Sequence, residues 1–250
     1  MKIAIAGGTG LVGSKVVAKV RAAGHEPVVI ARSRGTNLIT GEGLLEALRD
    51  CRAVIDVSNV VTTRKKVSID FFSRATANLL RAARQADVDH LVTLSIVGCD
   101  AVDLGYYFGK RVQEELVEAG DVPWTILRAT QFFEFPEPLL AMKSPIAVIP
   151  RMLSQPVAAD EVAEALTRYA TQAPAGHAPD LAGPERLQMT DMARRLLTAR
   201  GRHRPVLPLP IPGRLGEQLA TGALLPQGDH TRSPKTFAQH LTETNTTTER

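Results

Sequence analysis

The fold of this chain is decided by its first residues, 1–24, which read MKIAIAGGTGLVGSKVVAKVRAAG. Residues 2–6 form a short apolar and partly β-branched run, which is typical of a buried parallel strand. Four glycines follow at positions 7, 8, 10 and 13, and apolar residues with helical spacing begin at Leu11. A strand that stops at glycines and restarts as a helix is typical of a dinucleotide-binding turn.

Each of three glycines has a separate task in such a turn. Gly7 can adopt backbone angles that other residues avoid, Gly10 lets the main chain approach a pyrophosphate, and Gly13 lets the helix pack closely on the strand. The free N–H groups and the positive dipole end of that helix then face the phosphates. We therefore predict that the cofactor is bound by Gly7, Thr9, Gly10, Leu11, Val12 and Gly13.

Two other interpretations of the glycine-rich stretch compete with this one. Residues 8–15 resemble a nucleotide-triphosphate P-loop, but that loop requires Gly-Lys-Ser/Thr, whereas the order here is Gly13-Ser14-Lys15. A purely structural turn is the second alternative. The order of strand, glycines and helix favours the dinucleotide interpretation over both, because it is the context that the motif needs.

Composition favours one α/β domain. With 250 residues, of which 44% are hydrophobic, the chain can bury one sizeable core. We predict a single domain over residues 1–240, in which 184–240 contribute a small lobe. The net charge is +4 and aromatic residues make up only 4% of the chain, with the basic residues spread along it. This pattern favours a solvated surface and an anionic cofactor over a nucleic-acid partner.

Several further classes are disfavoured by the sequence. Cys51 and Cys99 show no C-x-x-C spacing, as expected for reduced residues of a cytoplasmic protein. The first residues lack the length and cleavage site of a signal peptide, and no apolar run approaches the ~18 residues of a membrane span. None of the six histidines falls into a metal-binding motif, so we predict no metal site. We expect a cytoplasmic protein with no membrane or nucleic-acid partner.

The residues after the second predicted strand, 27–31, indicate which cofactor is bound. A site that selects NAD places Asp or Glu here for the ribose hydroxyls. This chain has Arg32, Ser33 and Arg34 instead, and guanidinium groups suit a 2′-phosphate. We therefore predict NADP(H), with ordinary exposed loop arginines as the alternative.

The following residues continue the alternation of strands and helices. We predict helices over 41–50 and 65–85 and strands over 53–57 and 90–95, which together form a Rossmann-type, doubly wound parallel sheet. Ligands bind at the carboxyl edge of such sheets. Asp56 and Asn59 stand at the end of the third strand and are therefore predicted to contact the cofactor.

A candidate catalytic group follows the fourth strand. Ser95 ends that strand, and Tyr106 and Lys110 lie four residues apart, on one face of a helix predicted over 105–119. A phenol with a pKa near ~10 is a poor acid at neutral pH, and a neighbouring ammonium lowers that pKa. Ser95 can then orient a substrate carbonyl. The alternative is a packed Tyr beside a solvated Lys. Tyr107, with no Lys four residues on, is predicted to line the pocket.

These motifs resemble the short-chain dehydrogenase/reductase superfamily: Gly7-x-x-Gly10-x-x-Gly13, Ser95 and Tyr106-x-x-x-Lys110. The segments LSIVG (94–98), GYYFGKRVQEELVEAG (105–120) and PWTILRATQFFEF (123–135) resemble more narrowly its atypical, NmrA-like or triphenylmethane-reductase-like branch. The resemblance implies a Rossmann fold that binds NADP(H). Some members of that branch are reductases, and others are regulators that bind nucleotide without turnover.

For the second half, the resemblance implies further site residues after a strand predicted over 123–127. Thr130 and Gln131 are expected near the nicotinamide, and Phe132 and Phe133 are expected to shape the substrate pocket. A core position is the alternative for the phenylalanines. The lobe at 184–240 is predicted to cover the substrate side of the cleft, and the polar residues 242–250 are predicted to form a disordered tail.

The leading hypothesis is an NADPH-dependent reductase of a small, apolar carbonyl, quinone or conjugated substrate. Tyr106 is the expected proton donor, Lys110 is expected to lower its pKa and to hold the ribose, and Ser95 is expected to orient the substrate. The alternative from a different class is an NADP(H)-sensing regulatory protein without turnover. A nucleotide-retaining epimerase is a third possibility. The expected partner is a small-molecule substrate, with the protein a monomer or a homodimer.

Overall fold

Strands and helices alternate along most of this protein, whose computed structural model describes residues 1–248. The elements in chain order are β1 (Lys2–Ala6), α1 (Leu11–Ala22), β2 (Glu26–Ile30), α2 (Leu44–Ala47), β3 (Cys51–Asp56), α3 (Lys65–Gln85), β4 (His90–Ile96), α4 (Gly105–Glu118), β5 (Trp124–Ala129), α5 (Glu137–Leu140), β6 (Ala147–Pro150), β7 (Leu153–Ser154), α6 (Ala159–Ala170), β8 (Gly176–His177), β9 (Leu181–Ala182), β10 (Leu187–Gln188), α7 (Met189–Ala199), β11 (Val206–Leu209), α8 (Gly213–Thr221), β12 (Thr231–Arg232) and α9 (Phe237–Thr248).

The contacts between residues divide the chain into two compact units. The first unit consists of Met1–Arg128 and Asp160–Pro179, and the second of Ala129–Ala159 and the described residues from Asp180 onward. These bounds differ from the expected single domain with a lobe at 184–240. Residues 129–159, which the sequence assigns to the main domain, group with the second unit because most of their strand partners lie there.

The first unit contains a parallel sheet with flanking helices. Its strands lie in the order β2-β1-β3-β4-β5, and β8 pairs with β5. β1 runs parallel to both β2 and β3, and its last four residues are 0% exposed. This burial explains why β1 is a continuous apolar run. The predicted Rossmann-like α/β fold is confirmed.

The core of the first unit lies between this sheet and its helices. The longest helix, α3, buries residues at helical spacing along one stripe, including Phe72, Ala75 and Leu79. Its bounds, 65–85, match those predicted from that periodicity. The main apolar cluster comprises Ala4, Ala6, Ile30, Leu44, Leu48, Cys51, Val54, Leu79, Ala82, Ala83, Val88, Leu91, Val117, Val122 and Ile126.

His90 is a buried residue of the first unit. It opens β4, is 3% exposed, and its Nε2 lies 2.8 Å from Thr125 Oγ1 on β5. Burial lowers the pKa of this imidazole, which favours the neutral form. His90 is therefore part of the core of the sheet.

The second unit is built from short strand pairs and helices. β6 and β11 are parallel, β7 and β10 are antiparallel, and β9 is parallel to β12. Its apolar cluster comprises Phe133, Ala158, Leu187, Met192 and Phe237, with Leu241 packed against them.

The helix α9 extends into the stretch that the sequence predicted to be disordered. Thr236 and Gln239 form a reciprocal cap in front of it: each backbone N–H is accepted by the other side chain, at 2.8 and 3.2 Å. Such a capping box starts a helix, and Thr242 and Thr244 then bond back to carbonyls one turn earlier. Of the predicted tail, residues 249 and 250 lie outside the described residues.

Other features of the described residues bear on function classes. Both cysteines are free and buried, and burial raises the pKa of each thiol to about 11. Neither is therefore poised as a thiolate nucleophile. Within residues 1–248, no helix combines the length and the apolar character that crossing a membrane requires. No group of three or more His, Cys, Asp or Glu side chains in this part of the chain could hold a metal ion.

Candidate functional site

The turn between β1 and α1 requires its glycines. Gly7 has φ +81°, and its N–H donates to Ile30 O on β2. A Cβ at Gly13 would lie 2.1 Å from Gly7 O and 2.7 Å from Gly8 Cα. Contacts this short are sterically forbidden, so any side chain at Gly13 would push α1 away from the end of β1.

The N-terminus of α1 fits an anionic group. The N-cap is Gly10, which has no capping side chain, and the first turn contains no acidic residue. The first N–H groups of a helix lack intrahelical acceptors, and the helix dipole favours negative charge there. Thr9, Gly10 and Leu11 are exposed, whereas Val12 and Gly13 are buried. The turn can therefore hold the pyrophosphate of a dinucleotide mainly through its backbone.

The arginines predicted to select the cofactor stand in one 3₁₀ turn, Arg32–Arg34, directly after β2. The hydroxyl of Thr36 stabilises the start of this turn by accepting the N–H of Ala31 and donating to its carbonyl oxygen. Arg32, Ser33 and Arg34 are all exposed. Within the described residues neither guanidinium pairs with a carboxylate, so both can reach a phosphate.

The residues after β3 pack against the glycine turn. Asp56 is buried, and its Oδ1 accepts the N–H of Ser58 at 2.9 Å. A Cβ at Gly7 would lie 2.8 Å from Ser58 Cα and 2.9 Å from Val57 O. The carboxyl ends of β1 and β3 are therefore in direct contact, as expected at the ligand edge of a parallel sheet.

Tyr106 lies at this same edge. It stands in the first turn of α4, and its hydroxyl donates to Asn59 Oδ1 at 2.7 Å. Its ring packs edge-on against Phe72 and Tyr107, with centroids 5.7 and 6.2 Å away. The half-buried phenol is thus placed beside the segment that contacts the glycine turn.

The helix that carries Tyr106 is packed very closely on α3. The hydroxyl of Ser68 donates to Tyr106 O at 2.7 Å. A Cβ at Gly109 would lie 2.2 Å from Ser68 Oγ, and one at Gly105 would lie 2.1 Å from Thr63 O. Glycine at these two positions permits the approach that brings Tyr106 to Asn59.

Lys110 is directed into the interior. Its ammonium donates to Leu94 O at 2.6 Å and to Gln113 Oε1, and it faces the ring of Phe72 at 4.8 Å. The residue is 4% exposed, and burial lowers the pKa of its amine against the opposing effect of Asp56. Within the described residues no hydrogen bond joins Lys110 to Tyr106.

The ionisation of Tyr106 differs from the expectation. Burial, reinforced by Tyr107 and Asp56, raises the pKa of its phenol, and Lys110 is not among the causes. The sequence predicted the opposite direction from the four-residue spacing. The physical reason is that the ammonium of Lys110 is bound by Leu94 O and Gln113.

Ser95 lies beneath this edge. It is 1% exposed, and its Oγ lies 3.8 Å from the Sγ of Cys99. Cys99 in turn faces Glu114, which forms a two-bond ion pair with Arg128 at 2.9 and 2.6 Å. Within the described residues no hydrogen bond joins Ser95 to Tyr106, so its orienting role stays a prediction.

The sequence interpretation missed Gln113 and Ser68. Gln113 is three residues after Lys110 and therefore on the same face of α4, a spacing that could have identified it. Ser68 could not be found from local pattern, because its contact with α4 depends on how two helices pack. Asn59 was predicted as a cofactor contact, but its bond with Tyr106 was not foreseen.

The remaining predicted residues belong to the second unit. Thr130 Oγ1 donates to Gln155 O at 2.6 Å, and Gln131 is 6% exposed. Phe133 is 1% exposed and packs against Phe237 at 5.3 Å, which makes it a core residue. Phe132 is half-buried, and its place in a substrate pocket, like that of Gln131 and the buried Tyr107, stays a prediction.

Together, the parallel sheet, the glycine turn and the open helix N-terminus define a Rossmann-like nucleotide-binding protein. A family model described as NAD(P)H-binding matches residues 7–173. The chain belongs to this NAD(P)H-binding family. The predicted resemblance is confirmed as membership of this NAD(P)H-binding family, and the fold is shared with solved structures that include a short-chain dehydrogenase/reductase superfamily protein from Agrobacterium tumefaciens with bound NAD.

Solved structures share this fold at low sequence identity. The triphenylmethane reductase of Citrobacter sp. complexed with NADP(H) is 17% identical, with a TM-score of 0.69 over 97% of this chain and 99% of that chain. The NADPH-dependent quinone oxidoreductase of Escherichia coli complexed with NADPH is 18% identical, with a TM-score of 0.69 over the same shares of 97% and 99%. The UDP-glucose 4-epimerase of Thermus thermophilus in complex with NAD is 18% identical, with a TM-score of 0.68 over 98% and 93%. No curated protein matches this sequence.

Proposed function

We propose that this protein is an NADPH-dependent oxidoreductase that reduces a small apolar carbonyl, quinone or conjugated substrate by hydride transfer. The proposal depends chiefly on the bond between Tyr106 and Asn59, because it puts a phenol at the edge of the sheet beside the glycine turn. Two structural relatives are named for such substrates: a triphenylmethane reductase and a quinone oxidoreductase.

The residues of this protein would have the following roles. The turn at Gly7–Gly13 holds the pyrophosphate, and Arg32, Ser33 and Arg34 bind the 2′-phosphate that distinguishes NADPH from NADH. The bound nicotinamide supplies a hydride. Tyr106 donates its phenolic proton to the oxygen of the reduced carbonyl and is reprotonated from solvent. Because an alkoxide is a stronger base than a phenolate, this transfer is favourable even though the pKa of Tyr106 is raised.

A second candidate function is nucleotide sensing without turnover. The observation that favours it is that the polar groups of the predicted pair are both engaged within the unit: Tyr106 by Asn59, and Lys110 by Leu94 O and Gln113. In a sensor these bonds stabilise the fold, and the edge of the sheet binds the nucleotide without taking part in a reaction.

One experiment separates the reductase from the sensor. Purified protein is mixed with NADPH and a panel of quinones, aldehydes and cationic dyes, and the loss of NADPH absorbance is followed. A reductase consumes NADPH steadily with at least one member of the panel. Saturable NADPH binding without consumption over the whole panel would overturn the reductase proposal in favour of the sensor.

The proposal also includes the cellular compartment, the type of partner and the oligomeric state. We place the protein in the cytoplasm, acting on a small-molecule substrate as a monomer or a homodimer. Light scattering on the purified protein, with and without NADPH, measures the number of chains in the assembly.

A further inference from the structure

Three buried polar side chains form a continuous chain from α4 to the end of β3. Gln113, which is 0% exposed, accepts a hydrogen bond from the Lys110 ammonium with its Oε1. Its Nε2 donates to Asp56 Oδ2 at 2.8 Å. The 2% exposed Asp56 uses its other oxygen to accept the N–H of Ser58.

The chemistry of the two ends determines which way the amide is turned. An ammonium only donates and a carboxylate only accepts, so the amide oxygen must face Lys110 and the amide nitrogen must face Asp56. A glutamate at position 113 would set two carboxylates against each other, and an apolar residue would remove one hydrogen bond from each of two buried charges. Glutamine satisfies both ends while adding no charge.

The hydrogen-bonded series Lys110–Gln113–Asp56 leads to both parts of the candidate site. Through Asp56 it reaches Ser58, whose backbone touches the Gly7 turn. The next residue, Asn59, accepts the hydroxyl of Tyr106. A displacement of Asp56 would therefore move the segment that meets the nucleotide turn and the phenol together.

We propose that Gln113 is a positioning residue, which links the buried Lys110 to Asp56 and thereby holds the edge of β3 in the geometry that binds the nucleotide. This role rests on the proposed function for its catalytic consequence, but its effect on nucleotide binding requires no turnover. Lys110, Gln113 and Asp56 act as one unit, in which the negative charge of Asp56 balances the ammonium across the amide.

Other groups around Lys110 do not replace this link. Glu114 and Cys99 also face the ammonium and favour its charged form, and Phe72 covers it. Glu114, however, is already committed to two hydrogen bonds with Arg128. Asp56 is the carboxylate that Lys110 reaches through a hydrogen-bonded neighbour.

An exchange of the Gln113 amide and the Asp56 carboxylate, which meet between α4 and β3, tests the proposal. In Gln113→Glu two carboxylates face each other, and in Asp56→Asn the ammonium loses its balancing charge. The double variant Asp56→Asn/Gln113→Glu restores every bond. The carboxylate introduced at position 113 accepts from Lys110 and from the amide introduced at position 56, whose oxygen accepts the N–H of Ser58. NADPH affinity is measured by fluorescence titration, and unfolding is measured in urea.

We expect each single variant to weaken NADPH binding roughly tenfold or more, and the double variant to return to within about threefold of the wild type. The matched control is Glu115→Gln, at an exposed position of α4, which should leave binding unchanged. Single variants that fold and bind NADPH normally would overturn the proposal. So would a double variant as weak as the worse single one.

The pH profile of binding separates positioning from a merely structural role. With Gln113→Leu, the Lys110 ammonium loses its link to Asp56, so NADPH binding should decline at a lower pH than in the wild type. An unchanged profile together with lowered stability would show a structural role alone and overturn the proposal. If Gln113→Glu does not fold, Gln113→Met takes its place, and folding of the double variant is then itself the rescue. Turnover of the wild type is measured in a separate assay, so that failure of the reductase proposal is distinguishable from failure of the positioning role of Gln113.

Discussion

Tyr106 donates its phenolic hydrogen to Asn59 Oδ1 over 2.7 Å, across 47 positions of sequence. The bond joins the first turn of α4 to the residues that follow β3. It explains how a chemically useful side chain on one helix is placed at the edge of the sheet beside the glycine turn. It also identifies Asn59 as the group that orients this hydroxyl.

Replacement of Tyr106 by Phe should remove the proton donor while keeping the aromatic packing on Phe72. We expect kcat for a carbonyl substrate to fall by about 100-fold or more, with NADPH affinity unchanged. Turnover is followed by NADPH absorbance, with Tyr107→Phe as the control on the neighbouring ring. Full turnover of Tyr106→Phe with every carbonyl substrate would exclude Tyr106 as the donor, although a cationic dye needs no proton and could still be reduced.

The alkaline behaviour of the protein follows from the raised pKa of Tyr106, whose ordinary value is 10.0. The folded chain keeps this proton above the pH at which the unfolded chain releases it. The unfolded state then binds fewer protons, so this group lowers stability as the pH rises above about 10. We expect no alkaline decline of kcat/KM from this phenol between about pH 7 and about pH 10.

Urea unfolding at about pH 9 and about pH 11 measures the stability part of this prediction. The wild type should lose more free energy of unfolding over that interval than Tyr106→Phe, which has no phenol to ionise. Equal losses in the two proteins would contradict the assigned direction of the pKa shift.

Arg32 should determine the preference between NADPH and NADH. Replacing it by Glu removes a cation and adds a carboxylate beside the 2′-phosphate, so we expect the preference for NADPH to fall roughly tenfold to a hundredfold. Isothermal titration with both nucleotides gives the two dissociation constants. Arg21→Glu, exposed in the last turn of α1, is the matched charge control. An unchanged ratio in Arg32→Glu would contradict the assignment.

Gly13→Ala should abolish tight nucleotide binding. Its Cβ would lie 2.1 Å from Gly7 O, so α1 must shift, at a cost of about 1–3 kcal/mol in stability. Lys15→Ala, two residues further on, should leave the affinity for NADPH unchanged, because Lys15 is not in the P-loop position. Thermal unfolding and NADPH titration measure both effects. Loss of binding in Lys15→Ala would revive the triphosphate interpretation.

Sequence alone predicts the glycine turn and its surroundings well. The turn depends on local chemistry: β1 needs apolar residues, the turn needs glycines, and α1 begins where the spacing of apolar residues changes. The bounds of α3 follow in the same way from its stripe of buried residues. Such features depend on neighbours in sequence and can therefore be read from it.

Features that depend on packing between distant segments could not be predicted. The spacing of Tyr106 and Lys110 correctly puts both on one helix, but it does not reveal that Gln113 and Leu94 O bind the ammonium. His90 is polar and opens a strand, yet its burial against Thr125 depends on β5. For α9 a local signal does exist, since Thr236 and Gln239 form a capping box in front of an otherwise polar segment.

The close approach of α4 to α3 also limits how this protein can evolve. Because Gly105 and Gly109 touch backbone and side-chain atoms of their neighbours, the helix that carries Tyr106 cannot be re-aimed by single substitutions at these contacts without being forced out of place. Changes in substrate range must then come from substitutions outside α3 and α4. Libraries that keep both glycines and vary the half-buried Phe132, a predicted pocket residue, would explore chemistry, whereas libraries at 105 and 109 would mostly sample damaged folds.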